Sequence, residues 1–280
     1  MCGICGFLRP TEGIELDDAI RKVTNTLRHR GPDDQGIWVD QDAGMALGHR
    51  RLSITELGPE GAQPMTSPCG RFVIVFNGEI YNHLALRDDL SVEGVAPGWR
   101  GTSDTETLLA ALVRWGIRET LCRAHGMFAL AVWDRQAKKL HLARDRMGEK
   151  PLYLTRLSDG WAFGSELKAL LVAPGFEAKL CQDAVTSYLA YGYVPDTQCI
   201  FQNVRKISPG HVTTISLADA LDVTHPFQTF TDLVDKGLAT CSTSNPDNLD
   251  HLESILGQVV EEQMLSDVPL GCFLSGGVDS

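Results

Sequence analysis

The first residues of the chain combine a cysteine with the means to activate it. Cys2 directly follows Met1, and the small residues Gly3 and Gly6 come close behind it. If Met1 is removed, Cys2 carries both a thiol and a free α-amine, and such an amine can act as the base that generates a nucleophilic thiolate. A model α-amine has a pKa near ~8, so part of it is neutral at cellular pH. We therefore interpret Cys2 as a candidate nucleophile that activates itself.

Two other interpretations of this terminus stay open on local grounds. Cys2 could be an ordinary cysteine in a frayed terminus, since chain ends are commonly poorly ordered. Cys2 and Cys5 also have the C-x-x-C spacing of a redox or zinc pair. Zinc would need about two further ligands, and the remaining cysteines form no second such pair. We therefore predict no metal site.

Composition limits the class of protein. The 280 residues are 43% hydrophobic, which suits a globular protein with a real core. The net charge of −11 argues against a nucleic-acid partner. No signal peptide is recognisable, and no apolar run reaches the ~18 residues that a membrane span requires. Eight cysteines without the spacing of a disulfide framework favour a reduced, cytoplasmic location.

Hydrophobic periodicity predicts a strand-rich region up to about residue 170. The predicted strands are 3–8, 36–40, 45–49, 50–54, 71–76, 127–134, 139–144, 151–155 and 160–164. The predicted helices are 16–28, a helix that begins at about 104, and 166–171. This alternation is typical of sheets sandwiched between helices.

Two polar stretches in this region allow both a structural and a functional interpretation. Asn77-Gly78 follows an apolar strand, and Asn-Gly is a strong hairpin-turn signal. Ser103-Asp104-Thr105-Glu106 has the form of a capping box and would place Asp104 in the first turn of a helix. There its charge would favour the helix dipole even without another role.

The C-terminal part is less regular. A helix is predicted over about 182–191, a loop or linker over 225–248, an amphipathic helix from Leu249, and an apolar strand over 268–274. The strand leads into Ser275-Gly276-Gly277-Val278-Asp279-Ser280, a layout in which exposed backbone N–H groups can bind phosphate. The stretch lacks the Gly-Lys-Ser/Thr of a Walker A motif.

Taken together, these motifs resemble those of the glutamine-hydrolysing asparagine synthetases, in family order and over nearly the whole chain. The matching stretches are Met1–Gly6, Arg28–Asp33, His49–Ile54, Phe76–Asn82, Ser103–Glu106, Ala143–Arg146, Gly148–Tyr153, Ser165–Lys168 and Ser275–Ser280. The region of about 218–248 matches least. The resemblance implies an α+β fold, a four-layer αββα sandwich of the N-terminal nucleophile hydrolase type. The beginning of an α/β ATP-pyrophosphatase-like domain would follow it.

The domain boundaries predicted on this basis are as follows. Residues 2–210 would form the glutamine amidotransferase domain, with a core of about 2–170 and a connecting region to 210. Residues 211–280 would form a linker and the truncated start of the ATP-binding domain. That part would be poorly ordered in isolation, since a lone strand of a parallel sheet has no neighbours.

The resemblance also implies roles for individual residues. Cys2 would attack the side-chain amide of glutamine, and Asn77 with Gly78 would form the oxyanion hole. Arg51 would hold the α-carboxylate, and Asp104 with help from Glu79 would bind the α-ammonium. The pocket would also be lined by the backbone of Leu52, Ser53 and Ile54. The contacts to ATP would come from Leu274, Ser275, Gly276, Gly277, Asp279 and Ser280.

In the complete family, ATP with Mg²⁺ activates the aspartate side chain, and ammonia from glutamine displaces AMP. No cofactor is implied for the glutaminase step, and a homodimer is compatible with the resemblance. We expect the 280 residues alone to hydrolyse glutamine at most. Two alternatives stay open: an amidotransferase for another carboxylate acceptor such as a sugar acid, and a non-catalytic interaction module. Enzymes that make aminosugars or purine precursors are disfavoured, because they lack the Ser275–Ser280 motif.

Overall fold

The computed structural model describes residues 1–8, 15–216, 222–240 and 248–278. These residues contain two six-stranded antiparallel sheets. From edge to edge, the first sheet consists of β10 (Val204–Lys206), β8 (Tyr153–Leu157), β9 (Gly160–Gly164), β1 (Gly3–Leu8), β3 (Met45–Arg51) and β2 (Asp34–Asp40). The second consists of β12 (Asp222–Pro226), β11 (His211–Ser216), β7 (Lys139–Arg144), β6 (Gly126–Asp134), β5 (Phe72–Ile80) and β4 (Met65–Thr66).

Seven helices lie in the described residues of the chain. They are α1 (Leu16–Asn25), α2 (His83–Val92), α3 (Asp104–Arg123), α4 (Leu167–Leu171), α5 (Gln182–Tyr191), α6 (Phe230–Thr240) and α7 (Asn248–Gln263). A short 3₁₀ turn covers Pro59–Gly61. None of the helices in the described ranges is long and apolar enough to cross a membrane.

Side-chain alternation along the strands explains the layering. On β5, Val73 and Val75 pack between the two sheets, whereas Ile74 and Phe76 pack in the apolar layer that also contains Leu108 of α3. The outer face of the first sheet packs in the same way against α1 and α4. The order of layers is helix, sheet, sheet, helix, so the predicted αββα sandwich is confirmed.

The strand predicted over 50–54 is wrong, because β3 simply continues through Arg51. Arg50 pairs with Gly3 of β1, and Arg51 pairs with Asp34 of β2. Residues 52–54 then leave the sheet without regular structure. Both cations therefore end an existing strand, which places them beside the N-terminus.

The hairpin alternative for Asn77-Gly78 is also wrong. β5 runs without interruption to Ile80, and Gly78 pairs with Phe128 of β6 in regular register. Tertiary pairing with a long neighbouring strand overrides the local turn preference of this dipeptide.

The C-terminal region differs from prediction in three places. β11 pairs with β7 and carries β12, so the second sheet extends past residue 210. We therefore propose that the first domain includes β12. The loop predicted over 225–248 contains α6, and the strand predicted over 268–274 does not form. An apolar run becomes a strand only where a neighbour satisfies its main-chain groups.

Candidate functional site

Cys2 is held from two sides just before β1. The Leu52 amide donates to Cys2 Sγ at 3.4 Å, and Arg30 Nε donates to the Cys2 carbonyl at 2.8 Å. Arg30 is anchored in turn by an ion pair of 3.0 Å with Glu166. These contacts of Arg30 lie within the sandwich. The terminus therefore has a defined position with a half-buried thiol.

Cys5 lies in a different environment from Cys2. Its sulfur contacts Thr24 Oγ1 at 3.4 Å and the Gly48 carbonyl at 3.8 Å. Complete burial raises the pKa of the Cys5 thiol to about 12. The two sulfurs thus face different residues. Among the described residues, no group of three or more His, Cys, Asp or Glu side chains is arranged to hold a metal.

The electrostatics at Cys2 combine burial with nearby charges. Burial raises the pKa of the Cys2 thiol, while the Leu52 N–H, the N-terminal ammonium and Arg51 act to lower it. The charge of Asp104 also acts on this thiol and raises its pKa. Burial lowers the pKa of the Met1 amine below its usual range. A lowered pKa leaves a larger fraction of this amine neutral at neutral pH.

One edge of β5 presents main-chain donors away from β6. The Phe76 amide donates to Gln63 Oε1 at 2.7 Å, and the Ile80 amide donates to Asp104 Oδ2 at 2.9 Å. Gly78 lies between them, and its N–H points to the same edge because alternate residues of a strand share an orientation. Phe128, the residue of β6 opposite Gly78, supports this orientation, because its N–H and its carbonyl both bond to Asp145 and not to Gly78.

Asn77 supplies a second donor beside Gly78. The residue is buried, and its Nδ2 has no hydrogen-bond partner among the described residues. Buried polar groups are normally paired, so this amide nitrogen is a candidate donor to a bound ligand. Gly78 itself cannot be larger, because a Cβ there would lie 2.2 Å from the Met127 carbonyl oxygen.

Two carboxylates lie at the end of this strand. Burial raises the pKa of Asp104, which begins α3 after the cap of Ser103. Burial also raises the pKa of Glu79, with a further contribution from Asp104, while the charge of Lys150 acts to lower it. Both carboxylates line a cavity of about 220 Å³. Two acids in one cavity would favour a cationic group between them.

Arg51 is oriented by the loop that follows it. Its guanidinium donates to the Gly58 carbonyl at 2.9 Å and to the Glu56 carbonyl. Gly61 leaves room for it, since a Cβ there would lie 2.2 Å from Arg51 Nη2. Within the loop, the Ser53 amide donates to Asp33 Oδ2 at 2.8 Å.

The predicted ATP residues that the structure describes, 274–277, are exposed. Leu274 is 83% exposed, and a Cβ at Gly276 would meet no described atom within 4 Å. The Gly277 amide donates to Ser275 Oγ at 3.2 Å. Asp279 and Ser280 lie outside the described residues.

Gln63 carries no sequence signal, and the sequence gives no role for His49. Gln63 reaches Phe76 on one side and donates to Thr105 Oγ1 at 3.1 Å on the other. His49 Nε2 donates to the Phe76 carbonyl at 3.2 Å, and burial lowers the pKa of His49 to about 4. The predicted motif His49–Ile54 contains this histidine, but only the fold shows that it connects the two sheets beside Asn77.

The αββα sandwich, with Cys2 directly before β1, fits a glutamine amidotransferase. The family model described as the glutamine amidotransferase domain matches residues 1–227, and the chain belongs to this family. The model described as asparagine synthase matches residues 251–280.

The similar proteins carry related names. A Mycobacterium tuberculosis protein provisionally named a glutamine-hydrolysing asparagine synthetase is 36% identical over 300 residues, covering 100% of this chain and 44% of the relative. Asparagine synthetase 3 of Bacillus subtilis, also named glutamine-hydrolysing, is 33% identical over 285 residues, again covering 100% of this chain and 44% of the relative. The chain thus spans less than half the length of these relatives.

The fold also resembles a solved structure. The glutamine phosphoribosylpyrophosphate amidotransferase of B. subtilis, complexed with ADP and GMP, superposes with a TM-score of 0.59 at 20% identity. The match covers 81% of this chain and 49% of that chain. At this identity the likeness concerns the fold.

Proposed function

We propose that the protein is a glutamine-hydrolysing asparagine synthetase in which Cys2 releases ammonia from glutamine. The observation that carries the proposal is the pair of donors on β5, the unpartnered Nδ2 of Asn77 and the outward N–H of Gly78. Two such donors suit the oxygen of a tetrahedral intermediate, which becomes negatively charged as the thiolate adds to an amide.

The proposed hydrolysis proceeds through a thioester. Once Met1 is removed, the α-amine of Cys2 takes the thiol proton, and the sulfur attacks the side-chain amide carbon of glutamine. The C–N bond then breaks, and the proton passes to the departing nitrogen, which leaves as ammonia. Water attacks the glutamyl thioester, releasing glutamate and restoring the thiol. Asn77 and Gly78 stabilise the oxyanion in both halves of the reaction.

Recognition of glutamine is assigned to the charged groups around Cys2. Arg51 would hold the α-carboxylate, since a planar guanidinium suits bidentate contacts with carboxylates. Asp104 and Glu79 would bind the α-ammonium, whose positive charge offsets the mutual repulsion of the two acids. The Leu52, Ser53 and Ile54 backbone would line the pocket, and the Leu52 N–H already contacts the sulfur.

The second half of the reaction is assigned to the region that matches asparagine synthase. Leu274, Ser275, Gly276 and Gly277, with Asp279 and Ser280, would contribute to binding ATP with Mg²⁺. There the aspartate carboxylate would be activated for attack by ammonia. A cytoplasmic location and a homodimeric assembly remain predictions of the same proposal.

The first experiment combines intact mass with glutamate release from glutamine. We expect loss of Met1 and a hydrolysis that Cys2→Ala abolishes. Cys69→Ala is the matched control, because Cys69 is exposed and a hydrogen bond with Ser67 lowers its thiol pKa. Equal loss in both variants would contradict a specific role for Cys2.

Amide transfer is tested by adding aspartate, ATP and Mg²⁺ to protein that carries the whole synthetase region. Glutamine-dependent asparagine formation supports the assigned acceptor. If another carboxylic acid stimulates ATP consumption and aspartate does not, the assigned acceptor is wrong, but the glutaminase assignment stands.

A further inference from the structure

Glu56 occupies an unusual position in the loop after Arg51. Its φ of +53° lies in the left-handed region, which residues other than glycine seldom adopt. Its main-chain carbonyl accepts a hydrogen bond from the Arg51 guanidinium. Such a backbone conformation persists where its surroundings hold it in place.

The carboxylate of Glu56 reaches the segment before α3. Glu56 Oε2 accepts from the Thr102 amide at 2.7 Å and from Thr102 Oγ1 at 3.0 Å. Glu56 Oε1 accepts from the Gly58 amide at 3.3 Å. Thr102 lies two positions before Asp104. Glu56 therefore connects the Arg51 guanidinium with the segment that leads into α3, where Asp104 lies.

Asp267 fixes this loop from the C-terminal region. Its Oδ2 accepts from the Glu56 amide at 2.6 Å, and its own amide donates to the Ile54 carbonyl at 3.0 Å. Two hydrogen bonds thus hold the loop on either side of Thr55. Leu265 and Asp267 also line the cavity that contains Glu79 and Asp104.

We propose that Glu56 is a positioning residue of the glutamine pocket and that Asp267, from the region matched by the asparagine synthase model, holds Glu56 in place. The inference rests on the proposed glutaminase function. It makes glutamine recognition depend on a residue outside the amidotransferase match of 1–227. Neither residue has a hydrogen bond to Cys2, Asn77 or Gly78 in the described part of the chain, so the expected effect is on substrate binding.

The test is steady-state kinetics of glutamine hydrolysis in the wild type, Glu56→Ala and Asp267→Ala. We expect KM for glutamine to rise about five- to tenfold in each variant, the size expected for loss of one charge-assisted hydrogen bond. The kcat should change less than about twofold, because the groups at the reacting atoms are unaltered. Asp267→Asn keeps an oxygen acceptor for the Glu56 amide and should restore most of the wild-type KM.

Asp250→Ala is the matched control, since Asp250 is an exposed acid in the first turn of α7. A double-mutant cycle with Arg51→Lys then tests the route of the effect. If Asp267 acts through Glu56 on Arg51, combining Asp267→Ala with Arg51→Lys should raise KM by less than the two single effects together predict.

The outcomes separate this inference from the proposed function. Cys2-dependent hydrolysis with an unchanged KM in both variants overturns the positioning role alone. A parallel fall of kcat and thermal stability, with no change in KM, also overturns it, because it indicates a merely structural contact. Absence of hydrolysis in the wild type overturns both proposals.

Discussion

Apolar side chains are buried in the sandwich and more exposed in the described part of the C-terminal segment 230–278. In the sandwich, Trp133 and Phe163 are enclosed between the two sheets. In the C-terminal segment, Leu252, Ile255 and Leu256 on α7 are 43–55% exposed. Both regions have the hydrophobic periodicity of regular structure, but only the sandwich supplies the opposing layers that bury it. Amphipathic pattern alone thus forms a helix without forming a core.

The site residues follow the same division. Asn77 and Gly78 lie on β5, which pairs along its length with β6, and Asp104 begins α3 and accepts from the Ile80 amide. The Leu274–Gly277 stretch has no strand or helix among its described residues. In the described part of the chain, Asp267 is one point at which the second region bonds to the first, through directed hydrogen bonds.

The largest expected effect comes from removing a residue shared by both sheets. Trp133→Ala should lower the free energy of unfolding by about 3–5 kcal/mol, because a fully buried ring leaves a cavity. Leu252→Ala on α7 should cost less than about 0.5 kcal/mol, because the side chain is half exposed. Denaturant unfolding followed by circular dichroism measures both. Similar losses in the two variants would mean that α7 is covered as well as the core.

A pair of glycines tests the same contrast at the two predicted ligand sites. Gly78→Ala should cost about 1–3 kcal/mol of stability, since its Cβ would overlap the Met127 carbonyl oxygen. It should also lower kcat for glutamine hydrolysis by displacing the oxyanion donors. Gly276→Ala has open space around it and should leave the melting temperature unchanged. A stable, fully active Gly78→Ala variant would be incompatible with the proposed oxyanion hole.

Acid stability should depend on Glu166, which anchors Arg30 behind Cys2. Burial acts to raise the pKa of Glu166, but hydrogen bonds from Lys168, Arg30 and His29 outweigh it and lower this pKa to about 2. Because the folded-state pKa is depressed, this stabilisation is present above the usual carboxyl pKa of 4.5 and is lost as pH falls toward 2. Glu166→Gln should remove about 1–2 kcal/mol at neutral pH and flatten the loss of stability in that window.

Thermal unfolding at a series of pH values measures the effect of Glu166→Gln. Glu253→Gln, an exposed residue of α7, is the control and should preserve the wild-type profile. An unchanged acid profile in Glu166→Gln would show that other carboxylates govern acid unfolding.

The smallest expected effect is a pH dependence of glutamine binding. Because the pKa values of Asp104 and Glu79 are raised, these two carboxylates become protonated at a higher pH than ordinary carboxyl groups do. Protonation removes the charge that would pair with the α-ammonium, so KM should rise severalfold toward acid pH. In Glu79→Gln, KM should be higher at neutral pH and should depend less on pH. A KM that is independent of pH in the wild type would argue against this ammonium site.

Sequence motifs and family resemblance indicated the residues expected at the site, but they did not show how those residues meet. Asp104 was recognisable as a helix start, whereas its bond to the Ile80 amide comes from packing α3 against β5. Gln63 and Glu56 were not recognised, because a side chain that bonds to distant parts of the chain leaves no periodic pattern. The Asn77-Gly78 turn was a misleading local signal that the pairing with β6 overrides.

The sequence by itself determined the elements with strong periodicity, the layered α+β class and the identity of the candidate nucleophile. These depend on local preference and on which face of an element is apolar. Only the tertiary structure decided that β3 ends beside Cys2, that β11 and β12 extend the second sheet, and that Asp267 reaches Glu56. Those contacts join residues far apart in the chain, and their geometry is set by how whole layers pack.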